Sequence, residues 1–217
     1  MNGFLEDAIQ FMPVLLAGMG MTVAITLSAL VLSMVLGLGL ALMGMSKLGP
    51  LRWLSQTVIT VIRGIPIIVQ LFYVYFVLPQ LGLSLDAFLA GVIGLGVAYS
   101  AYQAENFRAG IEAVDKSYIE AAKSLGMSDA LILRRVILPL AIKVSLPPFG
   151  NTAIMLLKDS SIASTITVAE LTRAGQLLAL STFKNMTVYS LIAILYLAMS
   201  LPLTFLTRWL ERKGGRR

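Results

Sequence analysis

The sequence predicts an all-α membrane protein of five transmembrane helices, with its N-terminus outside and its C-terminus in the cytoplasm. Three observations carry this expectation. Of 217 residues, 58% are apolar and only 13% charged, with a mean hydropathy of +0.86, whereas an ordinary soluble domain carries roughly 25% charged residues. The charges fall between long uncharged stretches, and a bilayer crossing uses about 20 apolar residues. Lysine and arginine, finally, are divided very unequally between alternate connections. Such a length leaves no room for a sizeable extramembrane domain, so residues 1–217 are read as one membrane domain.

The spans follow from the charge gaps. Residues 8–46 hold no charge, and the first span is expected over roughly 12–45. Glu6 and Asp7 stand where a signal peptide carries basic residues, so this stretch is expected to be retained. Its glycines, Gly18, Gly20, Gly37, Gly39 and Gly44, are expected to allow close helix packing. After Lys47, Gly49-Pro50 and Arg52, a second span is expected over 55–80. Pro79, Gly82 and Asp86 mark a short turn before a third over 87–108. A polar segment with helical spacing, 112–135, leads to a fourth, irregular span over 136–158, interrupted by Pro139, Lys143 and Pro147-Pro148. Residues 160–184 are mixed, and 185–207 form the fifth span before a basic tail. No internal repeat is visible, which removes the usual pointer to a secondary transporter built from inverted halves.

Five spans place the termini on opposite sides. Lys47, Arg52 and Arg63, then Arg108, Lys116, Lys123, Arg134, Arg135 and Lys143, then Arg208, Arg212, Lys213, Arg216 and Arg217 fall on one side, and only Lys158, Arg173 and Lys184 on the other. The richer side is cytoplasmic by the positive-inside rule. The net charge of +6 thus reports topology and contact with anionic lipid rather than nucleic acid. With no Cys and no His, haem attachment, thiolate metal sites and the commonest general base are absent, so no metal or catalytic site is expected.

The most specific signal is the segment between spans three and four. Tyr118, Ala121, Ala122 and Leu125 share one helical face, Gly126 ends the helix, and Ser128 is placed to cap a second short one. Glu120-Ala121-Ala122, then Gly126 after three residues, then Val136-Ile137-Leu138-Pro139 after nine, resembles the cytoplasmic coupling motif of ATP-binding-cassette (ABC) importer permeases, with Val136 where the motif usually has Ile. Arg63-Gly64-Ile65-Pro66 with Gln70-Leu71, Glu105-Asn106-Phe107-Arg108-Ala109-Gly110-Ile111 and Leu157-Lys158-Asp159-Ser160-Ser161-Ile162 resemble motifs of the polar amino acid branch.

The resemblance runs over residues 15–210. It implies the type I importer permease fold in a bacterial cytoplasmic (inner) membrane and alternating-access import of polar amino acids, basic or amide ones among them. It also implies a second permease subunit, identical or paralogous, two ABC ATPase subunits and an extracytoplasmic amino-acid-binding protein. Glu120, Ala121, Ala122, Gly126, Leu138 and Pro139 would couple to the ATPases. Because no Gly-x-x-x-x-Gly-Lys-[Ser/Thr] loop is present, ATP and Mg are expected on the partner ATPase, with no cofactor and no enzymatic activity in this chain.

Polar residues within spans cost roughly 2.5–3.5 kcal/mol each when charged, so they are expected to face a partner or a water-filled path. Lys158, Asp159, Ser160 and Ser161 offer a cation and an anion to a zwitterion, or else brace the end of span four. Tyr99, Tyr102, Gln103 and Asn106 recur at i, i+3, i+4 and i+7, either lining a path or bonding helices together. Glu105 and Arg108 are spaced to pair. Asn151 is expected to satisfy carbonyls freed by the prolines, near the path, and Gln70 serves the path or packing. An autonomous secondary transporter or channel would also explain intramembrane charges, and an assembly scaffold would need none of them. Neither gives a reason for the Glu-Ala-Ala segment.

Overall fold

The computed structural model describes residues Asn2–Gly214, and every regular element within them is helical. Helix α1 (Asn2–Gly44) is followed by α2 (Gly49–Gly64) and α3 (Ile67–Phe72), the latter extended by a π turn (Tyr73–Val77) and a 3-10 turn (Leu78–Leu81). Then come α4 (Ala87–Glu112), α5 (Lys116–Ser124) and α6 (Asp129–Ile132). A π turn (Leu133–Ile137) joins α6 to α7 (Leu138–Asp159); a 3-10 segment (Ser160–Ile166), α8 (Leu171–Thr182) and α9 (Asn185–Gly214) complete the order. Arg216 and Arg217 of the basic tail lie outside the described residues.

By length and composition three helices can cross a bilayer, within 3–44, 87–112 and 185–212, and the pair 49–64 with 67–81 makes up to a fourth. The second span expected over 55–80 is therefore a bent pair, turning by 100°. Proline disfavours helical backbone at the residue before it, and Ile65 accordingly turns extended (φ −104°, ψ 130°) ahead of Pro66. Helix α1 begins ten residues before the expected span. Asp7 pairs with Lys184, which lets the charged first turns stay helical beside the α8–α9 turn.

Helix α7 differs in the other direction: Pro147 and Pro148 lie inside a continuous helix instead of breaking it. They remove the donors for the carbonyls of Lys143 and Val144. Thr152 stiffens the turn after them, its Oγ1 donating to the carbonyl of Pro148 at 2.9 Å. Asn151, expected to do such work, is exposed and makes no such bond.

The helices interlock through small residues. A Cβ on Gly37 of α1 would stand 2.6 Å from Gln103 Cβ and 2.8 Å from the carbonyl of Ser100, both on α4. Ile25 fills the space at Gly91 and Leu32 that at Gly96, so α1 and α4 run parallel with backbones almost touching. Gly20 and Gly39, by contrast, meet nothing within 4 Å. One apolar core joins Ile25, Leu71, Leu95, Tyr99, Leu156 and Ile166. A second joins Phe11 and Leu15 to Leu171, Val188 and Leu191.

Candidate functional site

Three features of the bundle carry chemistry or force, beginning with a cavity of about 710 Å³ between α1, α2 and α4. Gln56, Thr60 and Arg63 of α2 face Glu105, Arg108 and Glu112 of α4 across it, with Ala41 and Gly44 of α1 as a floor. Arg108 is held on its own helix, its Nε 3.1 Å from Glu105 and its Nη1 2.9 Å from Glu112. The Glu105–Arg108 pair expected from spacing is therefore present and gains Glu112 as a third member. Arg63, by contrast, forms no ion pair among the described residues and lies 5.7 Å from the centroid of the Tyr102 ring. The walls thus carry two cations and two anions, a lining suited to a zwitterion.

Beyond the cavity, the α4 stripe splits into two hydrogen-bonded junctions with α7. Tyr99, 1% exposed, donates its hydroxyl to Asp159 at 2.7 Å. Asn106 donates to Gln103 at 3.1 Å and to Thr152 Oγ1 at 2.9 Å, while Ser145 Oγ donates to the Asn106 carbonyl at 3.2 Å. Gln103 is fully buried, and its Nε2 has no partner among the described residues. Lys158 points outward and Asp159 is half-buried, so the two side chains adjoining in sequence face different surroundings. Ser160 is buried and spends its hydroxyl on the Leu157 carbonyl at 2.8 Å, whereas Ser161 is half-buried. Gln70 spans the bend between α2 and α3, its Nε2 donating to the carbonyls of Ile62 (2.8 Å) and Ile65 (2.9 Å). It satisfies the acceptors that Pro66 leaves free.

The segment between α4 and α7 is the third feature. Asp115 caps α5 by accepting from the Ser117 N–H at 2.8 Å, and that bond holds its carboxyl below the usual carboxylate range. At the other end Gly126 takes φ +75°, its N–H donating to the Lys123 carbonyl and that of Met127 to Ala122. These paired bonds form the Schellman turn that a left-handed residue permits. Only Ala122 of the predicted apolar face is buried. Tyr118 is 58% and Leu125 82% exposed, and Glu120 and Ala121 are exposed beside them. Ser128 precedes α6, but its side chain makes no capping bond. Leu138 and Pro139 follow directly on the π turn, within the helical run that continues from α6 into α7.

Glu170 is the residue that sequence reading missed. It is fully buried, caps α8 by accepting from the N–H groups of Thr172 (2.9 Å) and Arg173 (2.7 Å), and accepts the Tyr196 hydroxyl of α9 at 2.9 Å. On α1, Thr22 Oγ1 receives the Leu171 N–H at 3.0 Å. The signal available was an acid directly before the helical pattern of 171–182, an N-cap signature.

A bundle of long apolar helices with buried polar junctions, a charged cleft and an exposed helical segment between two of its spans is the architecture of a membrane transport subunit. Residues 33–215 match the family of binding-protein-dependent transport system inner membrane components, and the chain belongs to that family. It is 38% identical over 206 residues to a probable amino-acid ABC transporter permease, YckA, of Bacillus subtilis strain 168, covering 95% of this chain and 91% of that protein. It is 39% identical over 207 residues to the glutamine transport system permease GlnP of Escherichia coli K12, covering 93% of each. Among solved structures, a chain of an amino acid ABC transporter crystallised with histidines superposes with a TM-score of 0.89 at 41% identity, over 95% of this chain and 97% of that one. A chain of the inward-facing MetNI methionine transporter shares the fold, with a TM-score of 0.79 at 22% identity over 94% and 98%.

Proposed function

We propose that this chain is the permease subunit of an ABC importer for polar amino acids, in a bacterial inner membrane. The observation that carries the substrate class is the similarity, over more than nine-tenths of the chain, to permeases named for amino acids and glutamine. The cavity walls are consistent with it: Arg63, which has no ion pair among the described residues, is available to a carboxylate, and Glu105 and Glu112, shared with Arg108, supply acids beside it. In this reading the chain crosses the membrane five times, α2 and α3 together as the second span and α7 as the fourth, with the N-terminus outside.

The partners follow from the same reading. Two ATPase subunits hold ATP and Mg and engage the exposed face of α5. A second permease subunit, the same chain or a paralogue, completes the path, and an extracytoplasmic binding protein delivers substrate. ATP binding draws the ATPases together, α5 follows, and the path turns outward; hydrolysis resets it. The work comes from nucleotide affinity that differs between the two permease states. The chain itself performs no chemistry.

Purification from the native host in mild detergent, with identification of co-purifying proteins and an ATPase assay over candidate amino acids, tests the proposal. A stoichiometric ATPase whose turnover responds to a liganded binding protein is the expected result. A chain that purifies without an ATPase and carries substrate alone in liposomes overturns it.

A further inference from the structure

Both tryptophans of the chain, Trp53 and Trp209, directly follow an arginine. They lie far apart in sequence, yet contacts through the bundle bring them to nearly one depth. Gly37 of α1 abuts Gln103 of α4, and seven residues further along these parallel helices Gly44 and Gly110 are level. Gly44 abuts Ser55, with 3.2 Å from an ideal Cβ to Oγ, and Ser55 lies two residues from Trp53. Gly110 abuts Ser145 of α7; further along α7, Gly150 abuts Thr207, two residues from Trp209. At 1.5 Å per residue these contacts put the two tryptophans within about 8 Å of each other in depth. Asp86, the N-cap of α4, stands about 36 Å from the Gly110 level, close to one hydrocarbon thickness plus part of a headgroup layer.

Three exposed cations share that depth. Arg52 precedes Trp53, Arg208 precedes Trp209, and Lys143 of α7 lies two residues from Ser145, flanked by Ile142 and Val144, which are 54% and 47% exposed. None of the three forms an ion pair among the described residues. A lone cation on an apolar helix face is costly inside hydrocarbon and favourable at a negatively charged headgroup layer. Trp53 is 68% and Trp209 49% exposed, and indole rings with one apolar and one hydrogen-bonding edge settle at that layer.

We propose that Arg52 with Trp53, Lys143, and Arg208 with Trp209 form a belt that binds anionic phospholipid headgroups at one face of the bilayer. The topology proposed above makes that face the cytoplasmic leaflet. The belt depends on the chain lying in a membrane and not on what it transports.

The full chain, reconstituted in phosphatidylcholine vesicles, tests it through its own tryptophans. Trp53→Phe and Trp209→Phe each leave a single emitter, quenched by lipids brominated near the headgroup or near the chain end. Shallow quenching should exceed deep quenching for both emitters. Brominated phosphatidylglycerol, as a minor component, should quench more than brominated phosphatidylcholine at equal fraction, with enrichment of about fivefold per participating cation. High salt should abolish the excess, and so should Arg52→Gln, Lys143→Gln and Arg208→Gln combined, with depth unchanged. Deep quenching, or equal quenching by the two headgroups, overturns the proposal. So does an emitter that neither lipid nor aqueous acrylamide quenches, the sign that a second copy of the chain covers that face. Purification of the chain without an ATPase, with these readouts intact, would count against the importer reading alone.

Discussion

Glu170→Ala is the most informative single perturbation, because one carboxylate holds three helices. In its absence the N–H groups of Thr172 and Arg173 lose the acceptor that caps α8. Loss of a side-chain N-cap costs up to about 2 kcal/mol. The bond from the Tyr196 hydroxyl, made to a charged acceptor, adds about 1.5 kcal/mol. Tyr196 retains Thr172 Oγ1 at 3.0 Å, so its hydroxyl is not orphaned and the second figure stays at the low end. The sum is up to about 3.5 kcal/mol. Glu170→Gln keeps one acceptor oxygen but turns an NH2 group toward donors, and should lose about half as much. Titration with SDS in mixed micelles, followed by circular dichroism, measures the change. The expected order is wild type, Gln, Ala. An unchanged midpoint for Glu170→Ala refutes the clamp and leaves the buried carboxylate without a structural role.

Other consequences are more local. Gly126→Val places a β-branched residue at φ +75° and should abolish transport while the protein still inserts; normal substrate-stimulated ATPase in the variant would contradict a coupling role for this turn. Tyr99→Phe removes the 2.7 Å bond to Asp159 and should cost about 1.5–3 kcal/mol in the same SDS titration, whereas Asp159→Asn, which keeps an acceptor for Tyr99, separates bonding from charge when transport is measured. For Asp115 the folded carboxyl titrates below its unfolded value, so its cap is fully present above the unfolded pKa and is lost as pH falls through the folded pKa. The protection of the Ser117 amide, relative to its intrinsic exchange rate at each pH, should fall in acid in the wild type and stay constant in Asp115→Asn, which caps without titrating.

What could be read in the sequence was whatever a local pattern determines. Gly126 as a helix stop, the Glu105–Arg108 pair and the α4 polar stripe each follow from spacing along one helix. The bend at Pro66 was legible in principle, since proline restricts its predecessor, but an apolar run on both sides of it read as one span. Pro147 and Pro148 failed in the opposite sense: tertiary packing of α7 against α4 and α9 overrides their helix-breaking tendency, with Thr152 rather than Asn151 supporting the turn. Glu170 stayed hidden because its burial depends on Thr22 and Tyr196, residues distant in sequence on either side. The cavity was equally hidden, because α2 and α4 contribute its charges from separate spans.

These contacts also identify which part of the chain is free to move. The segment from α5 to the π turn is joined at its ends to α4 and α7, and those helices are pinned at three levels: Gly110 with Ser145, Asn106 with Thr152, and Tyr99 with Asp159. Helix α1 interlocks with α4 along Gly37, Gly91 and Gly96. In the proposed importer cycle a pull on α5 would move α1, α4 and α7 together, and the cavity would change shape where this block meets α2. That boundary holds one engineering opportunity. An ideal Cβ on Gly44 lies 3.8 Å from Ser55 Cβ, the usual spacing across a disulfide, and the natural chain has no cysteine to interfere. Gly44→Cys with Ser55→Cys should cross-link α1 to α2 on oxidation and stop transport, and reduction should restore it. Each single variant should transport in either condition, which separates the cross-link from loss of the Ser55 bond to the Leu40 carbonyl. Full transport by the oxidised double variant would show that α1 and α2 travel as one body, and the moving boundary would then have to lie between α3 and α4 or between α7 and α9.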